Sequence, residues 1–241
     1  SYEKRIAKQL NTCKVNPSII SNFASLFLNK QQDINAIIDR GKSEVIDFSC
    51  SKKIYGLAID IGTTTISAFL YDLTTWELKC AGSIENPQKQ WGLDIITRTS
   101  KIVNDPTMLH AQQNNLIEGI NNLISNFHRD HSVPNRQIYE IVIVANPVMI
   151  HLFLGLNPES LAQSPFVSAV SQRITTSIDN LHSQTKLTVN QECRIEILPS
   201  IGGFVGADTV AGILATGIHE KQEISLFVDI GTNSEIVLGN Q

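Results

Sequence analysis

Two stretches lying 169 residues apart share the string Asp-Ile-Gly-Thr, and each follows an apolar run. Residues 55–72 read YGLAIDIGTTTISAFLYD and residues 226–241 read LFVDIGTNSEIVLGNQ, so Asp60 aligns with Asp229, Gly62 with Gly231 and Thr63 with Thr232. Short apolar runs bounded by glycine and small polar residues predict a strand, a turn and a second strand. A hairpin turn by itself needs only the glycine. Repetition of carboxylate, glycine and hydroxyl in one order asks for a chemical reason as well. A phosphate beside a turn needs N–H donors that can approach closely, hence glycine, and hydroxyls as further donors. A carboxylate there would repel phosphate unless it holds Mg²⁺, usually through water, or orients an attacking water. The repeat is therefore read as two phosphate loops, Asp60 with Gly62, Thr63, Thr64 and Thr65, and Asp229 with Gly231, Thr232 and Asn233. Facing each other across one cleft, they would clamp the β- and γ-phosphates of a nucleotide, with Asp60 and Asp229 as the catalytic and metal-holding carboxylates. No G-x-x-x-x-G-K-[ST] occurs, and each glycine leads into a strand rather than a helix, which excludes a P-loop and a Rossmann fingerprint.

Around these hairpins the pattern alternates. ELKCAGSIE extends the first hairpin into a meander, and NDPTML places Asp105 as a cap with Pro106 in a first helical turn. Leu116, Ile117, Ile120, Leu123, Ile124 and Phe127 then recur at helical spacing. YEIVIVAN has the apolar, β-branched look of a central strand, CRIEILPS reads as another, and GADTVAGILATG as a helix closing on Gly217. Strand and helix alternation of this kind predicts an α/β domain. Upstream, SIISNFASLFLNK after Pro17-Ser18, and DINAIIDRGK with Ile34, Ile37 and Ile38, predict helices. The boundary falls at the charged CSKK, giving a helical region over 1–53 and an ATPase-like domain over 54–241.

Charge and cysteine content narrow the partners. A net charge of −4 without a basic cluster gives no long-range attraction for nucleic acid or an anionic membrane. No apolar run is long enough to span a bilayer, and SYEKRIAKQL lacks the apolar segment of a secretory signal. Cys13, Cys50, Cys80 and Cys193 are scattered without a C-x-x-C pair, which argues against a metal or cluster site and fits a reducing cytoplasm.

The duplicated hairpin resembles the acetate and sugar kinase, heat-shock chaperone and actin superfamily. Within it, GLAIDIGTTTISAFLYDL, NPQKQWGLDIITR, SPFVSAV, ILPSIGGFVGADTVAGILATG and LFVDIGTNSEIVLGN resemble, in order, the ATPase domain of the reductive activators of corrinoid proteins. That resemblance implies an actin-like, ribonuclease H-like first lobe over 54–222 and the start of a second lobe over 223–241, preceded by the end of a helical middle domain. It implies ATP and Mg²⁺ as cofactors and ATP-dependent reduction of a Co(II) corrinoid protein to Co(I) in a methyltransferase-type system. It also implies a two-iron, two-sulfur domain that this chain's cysteine spacing does not contain, so the chain reads as a fragment, inactive alone. A homodimer is compatible with the family. One departure is ANPVMIHLFLGL, where Asn146, Met149 and His151 match the family's G-N-T-T-M-x-H but two hydroxyls are lost at Pro147 and Val148. Two other classes stay open: a small-molecule kinase of the same superfamily and a non-catalytic actin-like nucleotide clamp.

SIGGFVGADTV sets Gly202, Gly203, Gly206 and Asp208 between a strand and a helix start. It reads either as a contribution to the cleft from Gly202, Gly203 and Asp208 or as an aspartate cap on a glycine-packed helix. Asn86 and Pro87 are expected in an edge loop, and Arg98 as a solvated or ion-paired surface arginine. His128 and His131 have helical spacing but no third ligand. Trp76 and Trp91 are assigned to packing or to a partner surface.

Overall fold

A computed structural model describes residues 14–15, 19–28 and 33–241. The chain divides into two units, Ser1–Ile54 and Tyr55–Gln241. Cys13 and the expected Pro17-Ser18 helix start lie outside the described residues.

In the first unit, strand β1 (Lys14–Val15) pairs parallel with β3 (Glu44–Ser49), which pairs antiparallel with β2 (Asn35–Asp39). Helix α1 (Ile20–Leu28) lies in the expected SIISNFASLFLNK stretch, and its Phe23 packs in a tilted arrangement on Phe48 with ring centroids 4.9 Å apart. Val15, Ile19, Val45 and Phe48 form the small core. The helix expected over DINAIIDRGK is corrected: it is strand β2 followed by a turn. Its register shifts between Ile37 and Ile38, leaving Ile37 buried and Ile38 exposed. The extra residue is Ile46 of the partner strand β3, and in β2 the consecutive apolar Ala36, Ile37 and Ile38 show no two-residue alternation, so the run also suits a helix.

The second unit is built on a six-stranded sheet. Strands β4 (Tyr55–Ile61), β5 (Thr65–Asp72) and β6 (Glu77–Glu85) form an antiparallel meander. The 3₁₀ turn Pro87–Trp91, helix α2 (Ile95–Asn104) and helix α3 (Thr107–His131) follow it. Strand β7 (Ile138–Ala145) then inserts parallel to β4. Helices α4 (Pro147–Leu154) and α5 (Glu159–Ala162) lead to β8 (Ile174–Ser177) and β9 (Arg194–Ile197), where β9 is parallel to β7 and β8 antiparallel to β9. The strand order is β6-β5-β4-β7-β9-β8, with β4, β7 and β9 parallel at its centre, the mixed sheet of an α/β domain. Helix α6 (Ala207–Thr216) and a separate hairpin of β10 (Ser225–Ile230) and β11 (Ser234–Gly239) complete the unit.

Register explains the core. Leu57, Ile59 and Ile61 stand opposite Leu70, Ala68 and Ile66 on one side and Ile141, Ile143 and Ala145 on the other. Because side chains alternate across a strand, all nine lie on one face of the sheet. The expected stripe of α3 covers it: Leu116, Ile117, Ile120, Leu123, Ile124 and Phe127 are all buried. Gly82, paired with Ala68, lets the helix approach; a Cβ there would come within 3.1 Å of the Phe127 ring. Among the described residues no helix is long and apolar enough to cross a membrane.

Candidate functional site

Asp60 sits one residue before the end of β4, so the two-residue alternation turns it to the face opposite the core. The chain then reverses through Gly62–Thr65, where Gly62 N–H donates to the Thr65 carbonyl at 2.9 Å. A Cβ at position 62 would stand 2.6 Å from that carbonyl oxygen, so only glycine fits the turn. The next carbonyls are engaged by the protein behind the loop. Gly62 O accepts from Asn86 Nδ2 at 2.8 Å, Thr63 O from Arg98 Nη2 at 2.7 Å, and Thr64 O from the Asn86 amide at 2.7 Å. The amides of Thr63 and Thr64 donate to no protein acceptor among the described residues. They are the donors such a loop can offer an anion.

The second hairpin is one residue tighter. Gly231–Asn233 joins the paired Ile230 and Ser234, and Gly231 N–H donates to the Asn233 carbonyl at 2.9 Å. The two tips meet, with Thr64 Oγ1 and Thr232 Oγ1 2.9 Å apart. Between them lies a cavity of about 280 Å³, lined by both loops and by Asp60, Asp208, Asp229 and Glu235. No lysine or arginine lines it.

Carboxylates crowded without a cation resist ionising together. Lost hydration inside the cleft, then the charges of Asp208 and Asp229, push Asp60 up to about 6. Asp208 is raised mainly by lost hydration and also by Asp229, although the Thr209 amide donates to its carboxylate at 2.8 Å. Glu235, the cross-strand partner of Asp229, is raised by lost hydration and by Asp208 and Asp229. Among the described residues no three His, Cys, Asp or Glu side chains stand close enough to ligate one metal ion together. The donor set therefore fits a cation that keeps its water shell, as Mg²⁺ does, better than a dehydrated ion in a protein cage.

The candidate residues divide as follows. Asp60, Gly62, Thr63, Thr64, Thr65, Asp208, Asp229, Gly231, Thr232 and Asn233 line this one cavity, although the two hairpins are far apart in sequence. Gly203 instead lines an adjoining, mostly apolar chamber of about 650 Å³, and Gly202 lines neither. Asp208 does not cap its helix; Gly206 holds that position, and Asp208 lies in the first turn. A Cβ on Gly206 would come within 2.6 Å of Asn146 Cα, so the glycine lets α6 close on the β7–α4 corner.

Asn146, Ser67 and Glu235 also line the cavity and were not among the sequence candidates. Asn146 carried a signal, since an asparagine before a proline marks a helix start. Its Oδ1 accepts from the Met149 amide at 3.0 Å while its Nδ2 donates to Thr63 Oγ1 at 3.1 Å. The surface position expected for Arg98 is corrected: it is fully buried. Asn86 and Pro87 start a 3₁₀ turn rather than an edge loop, and α2 follows it. His128 is engaged by the Val133 carbonyl at 2.9 Å, and Trp76 is exposed.

Comparison with known proteins accords with this geometry. The family model described as the RACo middle region matches residues 55–221. Corrinoid activation enzyme RamQ of Eubacterium limosum is 34% identical over 228 residues, covering 92% of this chain and 37% of the relative. The [Co(II) methylated amine-specific corrinoid protein] reductase of Methanosarcina barkeri is 26% identical over 196 residues, covering 77% and 34%. A solved structure described as a reductive activator for corrinoid, iron-sulfur protein superposes with a TM-score of 0.85 at 28% identity, covering 99% of this chain and 38% of that one. The chain thus spans little more than a third of the length of these relatives.

Proposed function

This chain belongs to the RACo middle-region family, and from that membership we propose that it is part of the ATP-binding module of an ATP-dependent reductive activator of a corrinoid protein. The observation that carries the reading is the meeting of two Asp-Ile-Gly-Thr loops around one acidic cavity. Asp60 and Asp229 would hold Mg²⁺ through its water shell, while the free amides of Thr63 and Thr64 and the hydroxyls of both loops would take the phosphates. Bound Mg²⁺ would neutralise phosphate charge; Asp60, left ionised beside it, orients water. Asp208 and Glu235 keep the cavity acidic and so selective for the metal complex of the nucleotide over the bare polyanion. The hairpin at 223–241 is read as the start of the second lobe.

Reduction of Co(II) to Co(I) is uphill for ordinary donors, and ATP can supply the bias by changing which partner state the activator holds more tightly. The substrate is a corrinoid protein of a methyltransferase system in the cytoplasm. The iron–sulfur cluster belongs to another part of the full-length activator. The chamber beside the cleft sets an apolar wall of Ile95, Val148, Leu161, Phe166, Phe204 and Val205 against polar Asp94, Thr99, Asn146, Thr209, Ser234 and Glu235, so a small-molecule kinase stays the rival reading. A hydroxylated acceptor needs a dense set of polar partners there.

The test is formation of Co(I) by the full-length activator with ATP, a reductant and its corrinoid protein, followed by absorbance. Asp60→Asn keeps the shape of the turn and removes the charge, so ATP-dependent Co(I) formation should be lost. Wild-type rates in that variant would sink the metal role of Asp60. ATP-dependent phosphorylation of a small molecule with no cobalt reduction would transfer the protein to the kinase class.

A further inference from the structure

The acidic cavity lacks a basic side chain, yet a guanidinium is buried directly behind its first loop. Arg98 is 0% exposed, and none of its hydrogen bonds goes to a carboxylate. Its Nε donates to Gly92 O at 2.9 Å, Nη1 lies 3.4 Å from Gln88 Oε1 and 3.6 Å from Met149 Sδ, and Nη2 donates to Thr63 O at 2.7 Å. Asp94, the cap of α2, acts on it only at a distance. A buried cation without a counter-ion is costly, and ordinary core packing would favour an apolar residue at the site.

Its surroundings form one polar layer beneath the loop. Asn86, Gln88 and Gln112 are also 0% exposed. Asn86 accepts from the Gln88 amide at 3.0 Å while its Nδ2 donates to Gly62 O. Gln88 donates to Gln112 O at 3.0 Å, and Gln112 donates to Arg98 O at 3.2 Å. Two side chains from this layer thus draw back the carbonyls of Gly62 and Thr63, so the loop faces the cavity with donors and not acceptors. One peptide unit separates the guanidinium from the Thr63 surface of the cavity.

We propose that Arg98 is a positioning residue that, with Asn86, sets the phosphate loop and supplies, through the Thr63 peptide, the counter-charge of the bound polyphosphate. The proposal rests on the polyphosphate reading of the cleft. It explains how a cavity lined by four carboxylates and no cation can accept an anion: the positive charge stands behind the loop, beyond reach of an ion pair with Asp60 or Asp229. A charge at that separation in a partly screened interior changes affinity by on the order of tenfold.

The experiment titrates Mg²⁺–tripolyphosphate and Mg²⁺–pyrophosphate calorimetrically into the full 241-residue chain and into its Arg98→Gln and Arg98→Lys variants, with folding checked by circular dichroism. Arg98→Gln should weaken tripolyphosphate about tenfold and pyrophosphate less, whereas Arg98→Lys, keeping the charge but not the fork of donors to Gly92, Gln88 and Thr63, should recover part of that loss. A merely structural role would weaken both anions alike and would not be rescued by lysine. A folded Arg98→Gln variant binding tripolyphosphate as well as wild type would overturn the proposal. If Arg98→Gln does not fold, a folded Arg98→Lys variant with a tenfold loss overturns it, and a smaller loss supports it. Failure of the wild-type chain to bind either probe would instead refute the polyphosphate reading itself.

Discussion

Asp60 is the residue whose titration reports on the cleft. Its carboxyl, ordinarily near 3.8, is raised to about 6 by lost hydration and by Asp208 and Asp229. A carboxyl raised in the folded state binds its proton more tightly there than in the unfolded chain. Without metal, this group therefore adds stability as pH falls from 7 through 6 towards 4, and Mg²⁺ should cancel that gain. Thermal unfolding with and without Mg²⁺ between pH 4.5 and 7.5 checks the sign. Asp60→Asn should raise the metal-free melting temperature at pH 7 by roughly 1–2 °C, a small shift because the side chain is solvated on one side. The two loop glycines give a sharper contrast. Gly62→Ala drives a methyl to 2.6 Å from Thr65 O and should cost about 1–3 kcal/mol. Gly231→Ala meets nothing nearer than 3.3 Å and should cost under about 0.5 kcal/mol, both read by denaturant unfolding. At this scale the repeated Asp, Gly and Thr were legible because a phosphate loop needs those residue types together. Arg98 was not, because an arginine in a polar stretch looks solvated until Thr63 O and Gln88, from other segments, are seen to enclose it.

Among the elements, the meander, the stripe of α3 and strands β7 and β9 followed from periodicity. Strand β2 did not, since its consecutive apolar residues Ala36, Ile37 and Ile38 carry no two-residue alternation. Helix α2 also escaped, although it has a capping aspartate, Asp94, whose Oδ1 accepts from Thr97 N at 2.8 Å. The β10–β11 hairpin has an unusual outer face. Leu226, Val228, Ile230, Ile236 and Leu238 are all exposed, and register pairs Leu226 with Leu238 and Val228 with Ile236. An apolar face of this kind favours self-association in water. Sedimentation of the chain should show concentration-dependent association, and Leu226→Lys with Leu238→Glu, an opposite-charge cross-strand pair, should shift it to monomer. An unchanged distribution would remove this face from the association.

For the molecule as a whole, separate cores over 1–54 and 55–241 predict two calorimetric transitions rather than one. Residues 55–241 alone should keep the Mg²⁺–ATP affinity of the full chain within about twofold, because every residue lining the cavity lies in that unit. A single shared transition, or loss of affinity on excision, would contradict this. Strand order was the least legible feature from pattern alone: β7 and β9 both read as strands, and only non-local pairing decides which lies beside β4. The contact between Thr64 and Thr232 carries a kinetic meaning. Two hydroxyls 2.9 Å apart leave no space for an atom between them, so a phosphate gripped by both hairpin tips must first part them. The resting cleft is latched, and the latch is one solvent-facing hydrogen bond of about 1 kcal/mol, easily undone by thermal motion. In stopped-flow mixing, Thr232→Ala, which removes the latch, should therefore change nucleotide escape by only a fewfold, and a loss of binding altogether would show that the contact does more than hold the tips together.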